Sequence, residues 1–183
     1  AQRDQAAARG YDPARLDAGR RHLHARFQNF TPAEVDYYGD CGLLSELNLF
    51  DIDEDALYWL RWRRADGLRE GRAFRTALDE FPRKVLLGNG PRSAVFSGMT
   101  ALDFHAWDEI VDLLLVKHYF WHRGFDGMYG TVARWVHQIQ AWNPALNERQ
   151  CWTVVRAFLG IELPEVSSLA DMELGFPHAF FDE

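Results

Sequence analysis

Residues 117–127 concentrate more chemically capable side chains than any other stretch: Lys117, His118, Tyr119, Phe120, Trp121, His122, Arg123, Gly124, Phe125, Asp126 and Gly127. His118 and His122 stand four residues apart, so on a helix they share one face. Two imidazoles so placed can hold one divalent transition metal, with Zn–N distances of ~2.0–2.1 Å. A complete site needs another ligand, for which Asp126, His24 and His137 are the candidates. Asp108 and Asp112 lie too far back along the same helix to join. Tyr119 stands where a helical zinc protease of HExxH type carries its glutamate base, so that chemistry is excluded. The simpler reading is electrostatic. Both histidines fall near the C-terminal end of a helix stopped by Gly124, where a protonated imidazole complements the helix dipole. Asp126 then caps the next helix, or orients His122 as a base if that ring turns toward it.

Other reactive patterns fail on chemical grounds. Gly88-Asn89-Gly90-Pro91-Arg92-Ser93 follows an apolar run in the manner of a nucleotide loop. Pro91, however, removes a backbone donor, and the third glycine is absent. There is no Walker lysine and no GxSxG elbow. Asp51, Asp53 and Asp55 alternate like calcium ligands, yet the glycine such a loop needs at its sixth position is missing. Acids ahead of a helix account for them. The seven tryptophans sit mostly at inward helical positions, which makes core packing their default role.

The elements that must carry these residues read as helices. Asp12-Pro13 starts one, with Leu16, Leu23, Phe27 and Phe30 along one stripe. Thr31-Pro32-Ala33-Glu34 is a capping box, and Gly39 and Gly42 hold the helix after it to about two turns. Residues 57–78 are helix-spaced up to Pro82, although Leu60 to Arg63 alternate and Asp66-Gly67 suits a turn; a small β-hairpin within 57–99 is the competing expectation. Residues 101–123 form the clearest apolar stripe, with Thr100 and Asp103 at its start. Residues 128–141 follow with Val132, Trp135, Val136 and Ile139 inward, then 148–159 with Trp152, Val155, Phe158 and Leu159 inward. Residues 1–11 read as a frayed arm and 161–183 as an extended tail packed on the surface. The fold class is therefore mainly α, a single compact domain of six to eight helices.

At 183 residues with 48% hydrophobic and 14% aromatic content, the chain can build a substantial core. A net charge of −7 opposes nucleic-acid binding, which calls for a basic face. No apolar run is long enough to span a membrane. Among the 20 basic residues only Lys84 and Lys117 are lysines, a bias that fits a GC-rich bacterial genome. Cys41 and Cys151 have no zinc-type spacing and read as two buried free thiols. The chain starts at Ala1, so an initiator was removed or a longer precursor trimmed; the cytoplasm is slightly favoured and the compartment stays open.

The function expected from these features is non-enzymatic: an acidic bacterial protein that neutralises or escorts a basic protein partner. Trp121, Arg123 and Tyr129 are its expected anchors, since such residues dominate interface energetics. This reading needs no cofactor. The alternative is a helical metalloenzyme acting on a small molecule through a divalent transition metal at His118, His122 and Asp126.

Overall fold

A computed structural model describes residues 2–39, 41–90, 96–100, 102–115 and 128–160. In chain order its helices are α1 (Gln2–Ala8), α2 (Pro13–Phe27), α3 (Pro32–Tyr38), α4 (Leu43–Leu49), α5 (Glu54–Asp79), α6 (Ser97–Thr100), α7 (Phe104–Trp107), α8 (Met128–Trp142) and α9 (Glu148–Leu159). The fold is mainly α, and among the described residues β pairing is limited to an isolated parallel bridge between Gly88 and Leu113. The described residues fall into two compact units. Unit 1 comprises those up to 21 and from 53 to 115, unit 2 those from 22 to 52 and from 128 to 160.

Local chemistry sets most helix ends. The Asp12 carboxylate accepts from the Ala14 backbone N–H at 2.8 Å, one residue ahead of Pro13. Thr31 and Glu34 close their capping box at 3.3 and 3.1 Å, and Asp53 accepts from Ala56 N–H at 2.6 Å at the start of α5. Asn147 and Gln150 form a second box ahead of α9. That helix stops at Gly160, whose φ of 62° lies in the left-handed region where a side chain is strained.

Unit 2 is built on aromatic contacts. Phe27 is the hub, with ring centroids 4.9 Å from Phe158, 5.6 Å from Phe50, 5.8 Å from Trp135 and 6.0 Å from Phe30. Val132, Val136 and Ile139 of α8 are fully buried, as are Val154, Val155 and Cys151 of α9. Burial, with a smaller contribution from Glu148, pushes the Cys151 thiol up to about 11, so it behaves as a small apolar group. Cys41 differs from its expected burial: it is exposed, in the loop between α3 and α4.

Unit 1 departs from expectation at three places, each through interactions between residues remote in sequence. Its first residues form α1 instead of a frayed arm. They are good helix formers, and Ala6 is buried while Arg3 pairs with Asp17 and Arg9 with Asp66. The hairpin expected within 57–99 is absent from the described residues. Asp66 and Gly67 lie inside α5, where the Asp66 carboxylate is held by Arg9 and Arg69. The long helix expected over 101–123 does not form across the described part of that range, 102–115. There only α7 forms, capped by Asp103, which accepts from Ala106 N–H at 3.1 Å, in place of Thr100. From residue 111 the chain runs beside 87–89 instead: Asp112 N–H donates to Leu87 O at 2.8 Å and Asn89 N–H to Leu113 O at 3.3 Å. An apolar run such as Ile110 to Leu115 suits a strand as well as a helix, and its surroundings decide between them.

Asp112 is the residue that decides. Its carboxylate accepts from Leu87 N–H at 2.9 Å and from Arg75 at 2.8 Å. The Leu87 bond first, then the Arg75 charge, hold this carboxyl below the usual carboxylate range. A folded value below the unfolded one means a contribution that is present above about pH 3.9 and lost as pH falls through the folded value. Asp112→Asn is therefore expected to lower the urea midpoint at pH 7, with the gap to wild type narrowing as pH falls below about 3.9. A gap that persists unchanged at pH 3 would show that the charge has no part in it.

Candidate functional site

Most of the residues singled out from the sequence lie outside what the structure describes. His118, Trp121, His122, Arg123 and Asp126 lie outside the described residues, and so does the tail 161–183. Tyr129 falls in the first turn of α8, and its side chain is likewise outside them. His24 is exposed on α2, its ring 5.7 Å from Trp142 in an edge-on arrangement, and His137 is exposed on α8. Among the described residues no group of three or more His, Cys, Asp or Glu side chains could hold a metal ion. The alternating aspartates have separate structural partners: Asp53 caps α5, Asp55 pairs with Arg15 at 2.6 Å and Asp51 stands 3.2 Å from His22. Asn89, in the glycine loop, is buried, and its amide serves the backbone of Gly90 and Leu115.

A different surface stands out, on α3 and α4 of unit 2. The capping box at Thr31 fixes where α3 begins, and Gln150 of α9 donates to the Asp36 carboxylate at 3.0 Å and holds its first turns. Gly42, with a φ of 85°, turns the chain into α4. Leu49 and Phe50 then anchor the end of α4, both buried, with Phe50 5.8 Å from Phe158. That anchor leaves the front of the helix turned outward. Tyr37 is 71% exposed, Leu43 69%, Leu44 77% and Leu47 41%. On a helix Leu43, Leu44 and Leu47 fall within about 100° of one another, which makes an apolar stripe. Such a stripe ordinarily turns inward; here it meets water. The Cys41 thiol sits between the two halves of this face and donates to Tyr37 O at 3.1 Å.

The electrostatics are one-sided. From Phe27 to Leu60 there are eight acidic residues and no Lys, Arg or His. Glu34 is committed to its capping box and to Arg26 at 3.2 Å. The Thr31 hydroxyl and then the Arg26 charge hold its carboxyl below the usual range. Glu46, in the first turn of α4, has no ion pair among the described residues. The face therefore combines large exposed apolar groups with uncompensated negative charge. It offers adhesion and charge selection and no nucleophile–base pair.

The chain matches no protein family, no curated protein and no solved structure. Its function therefore rests on its own geometry.

Tyr37, Leu43, Leu44 and Leu47 are the residues that sequence reasoning missed. Two signals were present: an apolar stripe on a helix only seven residues long, and a run of 34 residues free of basic side chains. Neither says which way the stripe faces. That is settled by Phe50, whose ring partners Phe27 and Phe158 lie far away in sequence.

Proposed function

We propose that this protein is a non-enzymatic binding protein that engages a basic protein partner through the α3–α4 face. The observation carrying this reading is the exposure of Tyr37, Leu43, Leu44 and Leu47 within eleven residues that include no cation. Contiguous apolar surface rimmed by polar groups is costly to leave in water, and where monomeric proteins keep it, it marks an interaction site. Acid groups around it attract a basic partner and repel acidic ones, which adds rate and specificity beyond what apolar area supplies. The overall charge of −7 acts in the same direction at longer range.

Cys41 supplies a reporter, since it is exposed within the face while Cys151 is buried. A pull-down from the source organism is expected to return a stoichiometric partner with a basic contact segment. Binding should slow alkylation of Cys41 at least tenfold and weaken as salt is raised, and Leu44→Asp should lose the partner while keeping its circular dichroism spectrum. The reading is overturned by a pull-down with no stoichiometric partner, or by a complex in which Cys41 reacts as fast as in the free protein.

A further inference from the structure

We infer that unit 1 carries a ligand site of its own, a cleft for a planar aromatic carboxylate, independent of the α3–α4 face. The cleft follows from how its helices meet. Helices α2 and α5 touch where Gly19 lies against the backbone of Asp55 and Ala56, so closely that no side chain fits between them. Beyond that contact, between the start of α2 and the middle of α5, a space of about 400 Å³ remains, which α1 borders without filling. That volume suits a small organic ligand, for which pockets run from roughly 300 to 1,000 Å³.

Its walls specify the chemistry. Trp59 and Trp62 of α5 and Leu16 of α2 supply flat apolar surface, and both indoles are only half-buried. The Arg63 guanidinium lies 5.3 Å over the Trp59 ring and has no carboxylate partner among the described residues. An aromatic body against the indoles with a carboxylate facing Arg63 suits both the flat apolar walls and a guanidinium that has no carboxylate partner among the described residues.

The local charge agrees with an anion. Asp17 is shared by Arg3 and Arg20, and Asp66 by Arg9 and Arg69, so both acids in the middle of the cleft are more than neutralised. The lining itself holds Arg3, Arg20 and Arg63 with Asp17, Asp66 and Glu70, and Arg9 and Arg69, which do not line it, compensate Asp66 from outside. Glu70, the acid without an ion pair, is exposed and lies seven residues beyond Arg63, about 10 Å along the helix at 1.5 Å per residue. It marks the far end of the cleft and leaves the Arg63 end cationic.

The test is calorimetric titration of the full chain with 2-naphthoate and with 2-naphthylmethylamine, which pairs the same rings with a cation. Saturable binding of one naphthoate per chain is expected, with the amine at least tenfold weaker. Arg63→Gln should weaken naphthoate at least tenfold. Gly67 lines the cleft from inside α5, where phenylalanine is a better helix former than glycine. Gly67→Phe should therefore fold and abolish binding. If that variant does not fold, Arg63→Lys and Arg63→Gln decide, with the lysine retaining more affinity. Absence of saturable binding, equal affinity for the amine, full affinity in folded Gly67→Phe, or no loss in Arg63→Gln would each overturn the site.

Discussion

Gly19→Ala is expected to destabilise unit 1 by more than about 3 kcal/mol, although the same change in an ordinary helix interior gains about 1 kcal/mol. The reversal comes from the crossing of α2 and α5. A Cβ at position 19 would overlap the Asp55 carbonyl carbon and oxygen and stand 2.6 Å from Ala56 N. These are backbone atoms at the head of α5, held by the Asp53 cap, so no rotamer change relieves the clash and the helices must separate. Overpacking against a yielding side chain costs about 1–3 kcal/mol; here separation also disturbs what surrounds the contact. Ala56 would lose its full burial, and the Arg15–Asp55 pair at 2.6 Å and the bond from Asp12 N–H to the Tyr58 hydroxyl at 2.9 Å would both be strained. Gly67→Ala provides the contrast. It lies inside α5 facing the open cleft and should gain about 0.5–1 kcal/mol. Urea denaturation of both variants tests the crossing. A Gly19→Ala protein as stable as wild type would mean that α2 and α5 do not meet there.

What could be read from the sequence was what neighbouring residues decide. The caps at Asp12, Thr31 and Asp53 bond donors two or three residues away, and of the residues read as inward on α8 and α9, Val132, Val136, Ile139, Trp152, Val155 and Leu159 are buried while Trp135 and Phe158 are half-buried. The segment 108–115 could not be read in this way. Its apolar pattern fits a helix, and its actual path depends on Asp112 finding Leu87 and Arg75, 25 and 37 residues away. The α1 segment depended likewise on Arg9 reaching Asp66 across 57 residues. For function the gap is wider, because a stripe pattern carries no sign. The leucines of α4 look like core residues, and Trp59 and Trp62 look like core tryptophans. Exposure of the former and the open space beside the latter are properties of packing alone. The histidine pair at 118 and 122, the most conspicuous pattern in the sequence, lies outside the described residues and stays an expectation.

Asn143 shows how much of unit 2 can depend on one polar side chain, and Asn143→Leu is expected to cost about 4 kcal/mol. Asparagine there is buried, at the end of α8. Its Oδ1 accepts from Phe30 N–H at 2.8 Å, and its Nδ2 donates to Phe27 O and Ile139 O, each at 2.9 Å. It thereby stands in for backbone partners at the turn between α2 and α3, beside the aromatic cluster. Leucine would leave the Phe30 donor and the Phe27 acceptor buried and unpaired, at about 1–3 kcal/mol each. Asn143→Asp separates hydrogen bonding from simple packing. Its carboxylate could still accept from Phe30 N–H, but the second oxygen would face the carbonyls of Phe27 and Ile139. Burial and those carbonyls disfavour the charged form, so the folded pKa of this new acid should rise above its unfolded value near 3.9. The sign follows from linkage: the folded state then holds the proton to higher pH than the unfolded chain, and stability falls as pH rises, by up to about 1.4 kcal/mol per unit. The gap between Asn143→Asp and wild type should therefore widen from pH 4 to pH 7, while the Asn143→Leu deficit stays constant. Urea midpoints at pH 4, 5.5 and 7 measure both. A flat Asn143→Asp gap would mean that the side chain at 143 reaches water, and the clip between α8 and the α2–α3 turn would fall with it.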